Sequence, residues 1–256
     1  MYNYQSKLIL RIALLFFLYC HFSSPLVAQN KDSLKVHEPL KATANVNINS
    51  KGISLFPNLT YGKPAVILTG SVGKKNIYFE PELRWGLNGK PWSYIFWFRY
   101  KYKKSEHFGF NVGAHPSYVM RKDSFNINGK NELRYTAQRY FAAEIIPTYY
   151  FSRKFALGVQ YLYSKGLDPY ATQNSHFLSL QPKFPFINVG KNYYFSFYPQ
   201  IFHLKLDAKE GTYVSESLFL NWKDHPLSIS SIFTYKIKST ISGNDIVWNI
   251  GLNYKI

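Results

Sequence analysis

The sequence is short of three things: cysteine, acidic residues and long apolar runs. Its one cysteine, Cys20, lies in a segment that reads as removable, which excludes disulfide and thiolate chemistry from the mature chain. Acids are scarce, 14 Asp and Glu against 31 Lys and Arg, for a formal net charge of +17. A balance this basic admits nucleic acid, lipopolysaccharide or anionic solutes as partners. Lysines placed in turns and strand ends against anionic headgroups account for it as well. After residue 28 no stretch is both apolar and long enough for a spanning helix, which needs roughly 18 to 20 residues. A membrane protein without such helices has to be a closed β-barrel, because only closure satisfies every backbone group in lipid.

Residues 1–28 combine Lys7 and Arg11, an apolar run from Ile12 to Tyr19, and small or apolar residues before Gln29. This pattern is that of a secretory signal peptide cleaved after Ala28. A membrane anchor would need a longer run than one broken at His21-Phe-Ser-Ser-Pro25, and lipidation of Cys20 would need a small residue where Tyr19 stands. Cleavage removes two of the 31 cations and none of the acids, leaving 29 minus 14, or +15. Export also argues against nucleic acid as a partner.

What is abundant is aromatic side chains, 19% of the chain, set on period-two segments. In Asp245–Ile256, Ile246, Trp248, Ile250, Leu252, Tyr254 and Ile256 alternate with Val247, Asn249, Gly251, Asn253 and Lys255. A strand with one apolar and one mostly polar face suits lipid outside and water inside. Twelve such segments are expected, at 52–61, 64–73, 76–88, 92–103, 107–121, 132–152, 155–167, 174–190, 193–207, 212–223, 227–239 and 245–256. Residues 29–51 read as a polar periplasmic lead-in with at most one edge segment, and 52–256 as the barrel. The fold expected is an all-β, antiparallel transmembrane β-barrel in the cell outer membrane. With a periplasmic N-terminus, the turns after even-numbered strands should be short and the others longer. A soluble sandwich or lipocalin-like barrel would carry a polar outer face, whereas here the richer face carries rings.

The motifs Gly89-Lys-Pro-Trp-Ser-Tyr-Ile-Phe-Trp-Phe-Arg-Tyr-Lys101 and Gly113-Ala-His-Pro-Ser117, with Gly52-Ile-Ser-Leu-Phe-Pro57 and Gly62-Lys-Pro64, resemble porin-like outer-membrane proteins of the Bacteroidetes lineage. The resemblance spans about residues 52 to 256 and implies fold and location. It brings no activity or active-site residues with it.

Period two also assigns faces. Strand 76–88 turns Ile77, Phe79, Pro81, Leu83, Trp85 and Leu87 outward; strand 92–103 does the same with Trp92, Tyr94, Phe96, Phe98, Tyr100 and Tyr102. A charge at mid-membrane on the lipid face costs roughly 2 to 4 kcal/mol, so Glu80, Glu82, Arg84, Arg99, Lys101, Glu144, Lys183, Lys236 and Lys238 are assigned to the lumen as pore-lining candidates. Opposed charged walls would select small solutes by charge; a salt-bridged plug would conduct little, and an intermediate barrel allows either. His115, Ser117 and Glu144 share inward parity and by type form an acyl-transfer set, provided they meet within hydrogen-bond reach. Scattered histidines without paired spacing suggest no metal, and no cofactor is implied. An apolar-x-Pro-x-apolar unit recurs around Pro57, Pro81, Pro147, Pro182 and Pro199, with Pro116 similarly placed. Such prolines would either make bulges or leave a lateral gap in the wall. The preferred expectation is a non-enzymatic passive pore for small hydrophilic solutes, with anions favoured. A barrel binding or processing lipid through the gap, with His115, Ser117 and Glu144 as its site, is the alternative. A structural subunit of an envelope complex is a third. Outer-membrane lipid and lipopolysaccharide are the expected surroundings, and the oligomeric state is left open.

Overall fold

The computed structural model describes residues 38–256 apart from 55 and 128; the signal expected at 1–28 and the start of the lead-in lie outside the described residues. Twelve strands follow one another: β1 (Lys41–Asn49), β2 (Ala65–Lys74), β3 (Ile77–Gly86), β4 (Pro91–Lys103), β5 (Phe108–Ile127), β6 (Lys130–Tyr150), β7 (Ala156–Gly166), β8 (Asn174–Asn188), β9 (Tyr193–Leu206), β10 (Lys209–Trp222), β11 (Leu227–Ser239) and β12 (Ile246–Lys255). Each pairs antiparallel with its chain neighbours, and β1 pairs with β12 to close the barrel. No helix among the described residues is long and apolar enough to cross a membrane. The strands do that instead, and the outer face shows it. On β12, Ile246, Trp248, Ile250, Leu252 and Tyr254 are each 46–57% exposed, while the alternating Asn249 and Asn253 are 2% and 8% exposed. An apolar face this extensive on strand after strand is stable only in an apolar solvent.

The first strand is not where the expectation put it. Lys41–Asn49, read from sequence as part of a lead-in, is β1, so the barrel begins before residue 52. Ala42, Ala44, Val46 and Ile48 alternate there with Thr43, Asn45, Asn47 and Asn49. The asparagines join across the closure: Asn47 Nδ2 donates to Asn253 Oδ1 at 2.5 Å and Asn249 Nδ2 to Asn49 Oδ1 at 2.9 Å. The segment 52–61, expected to be a strand, belongs instead to the β1–β2 connection and contains a single 3-10 turn at Pro57–Leu59.

Turns after the even strands run over 75–76, 104–107, 151–155, 189–192 and 223–226. The opposite end holds the fifteen-residue connection 50–64 and the loops 167–173 and 240–245, alongside tight turns such as Asp207-Ala208. The stretch 122–131, expected as a loop, continues the β5–β6 ladder to Ile127↔Lys130, beyond the last β4 and β7 partners at Val119 and Tyr140. Aromatic rings crowd the outer wall near the short turns: Tyr102 on Phe110 at 5.4 Å, Phe155 on Phe184 at 5.0 Å, Tyr193 on Trp222 at 5.3 Å. Amphipathic rings favour that level of a bilayer.

The strand prolines do not make the bulges anticipated for them. At Pro81, Pro116, Pro147 and the pair Pro182 and Pro199, the ladder lapses and then resumes in unchanged register. Examples are Thr69↔Glu82 to Val72↔Phe79 and Ile95↔Ser117 to Phe98↔Ala114. A missing N–H removes a bond without adding a residue. Register shifts fall elsewhere, at Arg84/Trp85 and Thr212/Tyr213, with one between Phe184 and Ile187 that takes in Pro185.

Candidate functional site

The site is the lumen, and it divides into a charged belt and an apolar cap. In the belt, β3, β4 and β6 bring Glu80, Arg99 and Glu144 together because each holds an inward position of its strand. Arg99 Nη1 donates to Glu80 Oε2 at 2.7 Å and its Nε to Glu144 Oε1 at 2.8 Å. Lys101 also binds Glu80, and Ser71 Oγ donates to it at 2.9 Å. Glu144, 4% exposed, takes a further bond from Gln160 Nε2 at 2.7 Å. Gln181 Nε2 then reaches Gln160 Oε1 at 2.7 Å, carrying the chain of bonds from β2 round to β8. Arg84 pairs with Glu82 two residues away. Guanidinium groups stack on indoles, Arg99 over Trp97 at 3.9 Å and Arg84 over Trp92 at 4.8 Å. The groups are mutually engaged, as a charge kept out of bulk water has to be.

Toward the opposite end the inward side chains become apolar. Phe177, Phe202, Leu204 and Tyr213 are each at most 2% exposed, and the rings form a run: Phe177 to Phe202 at 5.1 Å, Phe202 to Tyr213 at 5.0 Å. Segment 50–64 folds onto this run. Phe56 stacks on Phe177 at 6.0 Å, and Leu59 packs against Val119, Tyr140 and Ala171. Bonds from Gly52 N to Lys63 O (2.8 Å) and from Tyr61 N to Gly52 O (3.0 Å) draw the segment into a closed loop. Gly52 is required there, since a Cβ would stand 2.8 Å from Trp92 Cζ3.

Trp92 corrects the facing expected from sequence. The register shift beside Trp85 turns it into the lumen, 3% exposed, where its Nε1 donates to Leu59 O at 2.8 Å. Lys238 is a second correction. The β10–β11 bulge sets it opposite Thr212, an outward position, and it is exposed on the outer wall rather than lining the lumen. Lys236 does face inward, where its Nζ donates to Gly243 O at 3.0 Å and pairs with Asp245. Lys183 lies inward alongside Gly158.

A cavity of about 260 Å³ separates cap from belt, lined by Phe56, Ile95, Arg84, Glu82, His115 and Ser117 among others. A second, of about 350 Å³, lies toward the short-turn end and includes Asn45, Ser71, Glu80 and Lys255. Both are lined by Glu82, Trp97 and Arg99. His115, Ser117 and Glu144 thus share one cavity, but among the described residues no hydrogen bond joins any two of them. Glu144 is already taken up by Arg99 and Gln160, so the set lacks the base–nucleophile contact that acyl transfer needs. Lys255, Gln160, Gln181 and Phe56 were not picked out from sequence. The alternation on β12 signalled only Lys255.

No protein-family model matches the chain, and no curated protein sequence does. Solved structures share its fold. A KdgM porin in complex with disordered oligogalacturonate aligns at TM-score 0.52 and 9% identity over 83% of this chain and 98% of its own. A NanC porin aligns at TM-score 0.50 and 13% identity over 83% and 100%. An outer membrane channel from Pseudomonas putida F1 gives 0.52 and 10% over 88% and 99%. The architecture is therefore that of outer-membrane porins, a closed twelve-stranded antiparallel barrel.

Proposed function

We propose that this chain is an integral outer-membrane channel passing small hydrophilic solutes passively, exported by a signal peptide at 1–28 and standing with its N-terminus in the periplasm. The observation that carries the reading is the pair of lumenal cavities, both bordered by Glu82, Trp97 and Arg99, inside a barrel whose outer wall is apolar. Short turns at the end shared with the start of β1 support the orientation. The KdgM porin, solved with oligogalacturonate, lends support to anionic solutes. The charges lend some too: the belt holds three carboxylates (Glu80, Glu82, Glu144) against four cations (Arg84, Arg99, Lys101, Lys183), and Lys255 adds to the cations in the second cavity. The role of lumen lining goes to these residues and to Lys236, not to Lys238. Lys238, with the outward Lys165 and Lys205, suits contact with phosphate groups of lipopolysaccharide. The sequence motifs resemble those of the Bacteroidetes porin-like group, which supports the same reading. No catalytic step is assigned to it.

Planar-bilayer recording on the purified protein tests the channel. Discrete conductance steps are expected, and their absence over a range of voltage would overturn it. Reversal potentials favouring cations would remove only the anion preference.

A second reading, lipid binding through the wall, has one observation in its favour. The lapsed ladder at Gly70-Ser71 and Glu80-Pro81 borders the second cavity. Saturable binding of labelled phospholipid or lipopolysaccharide by the purified barrel is its test.

A further inference from the structure

The cavity between cap and belt has a lining unlike that of the wider lumen. We infer that it is a binding site for an uncharged, polyhydroxylated solute of about monosaccharide size. The inference rests on the channel reading only in that a solute has to reach the cavity through the lumen. Its charges cancel: two carboxylates, Glu82 and Glu144, and two guanidinium groups, Arg84 and Arg99, line it. Each is already engaged, Arg84 with Glu82 and Arg99 with Glu144 and Glu80. The lysines that could tip the balance lie outside its lining: Lys101 is bound to Glu80, Lys183 stands alongside Gly158, and Lys255 lines the other cavity.

An ionic solute entering here has to displace one of these partners and give up its own hydration, and a buried charge left without its partner is strongly penalised. A hydroxylated solute displaces neither partner, and the loss of its hydration is offset where its hydroxyls bond to the wall. A guanidinium carries five N–H donors and a carboxylate about four acceptor sites, so paired groups keep capacity for vicinal hydroxyls. Ser117 and Gln160 extend that polar wall, while Phe56, Ile95 and Leu162 present an apolar one. A pyranose ring has both surfaces, C–H faces and a hydroxyl rim. The volume of about 260 Å³ is just under the ~300–1,000 Å³ usual for ligand clefts, which suits a single ring better than a chain.

The test is a charge series on one skeleton. D-glucose, D-glucuronate and D-glucosamine are titrated calorimetrically into the purified protein, and bilayer conductance is recorded on the same preparation. Saturable glucose binding about tenfold tighter than that of either charged analogue is expected. Equal affinities, a preference for a charged sugar, or no saturation by any of the three overturns the inference. A preparation that conducts while failing this way leaves the channel intact. Glucose binding by a protein that does not conduct supports the site and removes the channel. Glu82→Gln checks the location: it frees Arg84 and should move preference toward glucuronate by about tenfold. Arg84→Gln is the converse and should move it toward glucosamine. Folded barrels of either variant with unmoved preference place the sugar elsewhere and overturn the proposal.

Discussion

Replacing Phe96 and Ile95 in turn by arginine separates the two faces of β4 by one residue. Phe96 is the sixth of thirteen residues in β4 and faces outward opposite Pro81. At ~3.3 Å per residue and a tilt of ~45°, such a strand crosses about 28 Å, which puts Phe96 within roughly 3 Å of the bilayer centre. Phe96→Arg is therefore expected to cost about 2–4 kcal/mol, the price of a lipid-facing cation at mid-depth. Ile95 points the other way, opposite Glu82 and Ser117 and against the cavity. An arginine there loses part of the isoleucine packing, about 1–2 kcal/mol, but meets the carboxylate across the strand pair. Refolding both variants into lipid vesicles and comparing their denaturant midpoints gives the answer. Equal losses, or a larger one at Ile95, would mean that β4 presents the opposite face. Glu80, Arg99 and Lys101 could not then share a lumenal network.

Glu144→Ala takes acceptors from both Arg99 and Gln160 and should destabilise the barrel by about 2–3 kcal/mol in the same assay; no change would mean that the belt is solvated without it. Replacing residues 53–60 by a short Gly-Ser link removes Phe56 and Leu59 from the cap, and a larger single-channel conductance is expected. At the rim, the Arg139 side chain donates to Asp168 Oδ1 at 2.6 Å and holds that carboxyl below its ordinary value of 3.8. Because the folded pKa is depressed, the ordering of loop 167–173 should be complete above about pH 4 and fade as the pH falls through the lowered value. Amide exchange in that loop against pH reads it, and Asp168→Asn should remove the part that rests on Arg139, while the bond from Gln173 N to Asp207 stays.

Much of the wall was legible because a strand in lipid has only one pattern open to it. Alternation over 76–88 put Glu80, Glu82 and Arg84 on one face without reference to any other strand, and the structure keeps them there. The eleven strands β2 to β12 and the short turns at Lys75 and Asp224, both at positive φ, were likewise local matters. Period two is a property of one strand by itself, so the chain alone determines it.

What only the tertiary structure decided is where that pattern starts, where it slips and what fills the inside. Lys41–Asn49 is small and polar enough to pass for a linker, and becomes a strand because β12 offers Asn249 and Asn253 to its asparagines. Segment 52–61, more apolar and so more strand-like, finds its burial against Phe177 and Trp92 inside the barrel. Trp92 and Lys238 each sit beside a register shift, and a shift belongs to a pair of strands rather than to either one. The sequence by itself thus determined the two faces of the wall, because lipid and water act on each residue separately. Closure, bulges and the contents of the lumen depend on partners far away in the chain, and only the closed barrel brings those partners together.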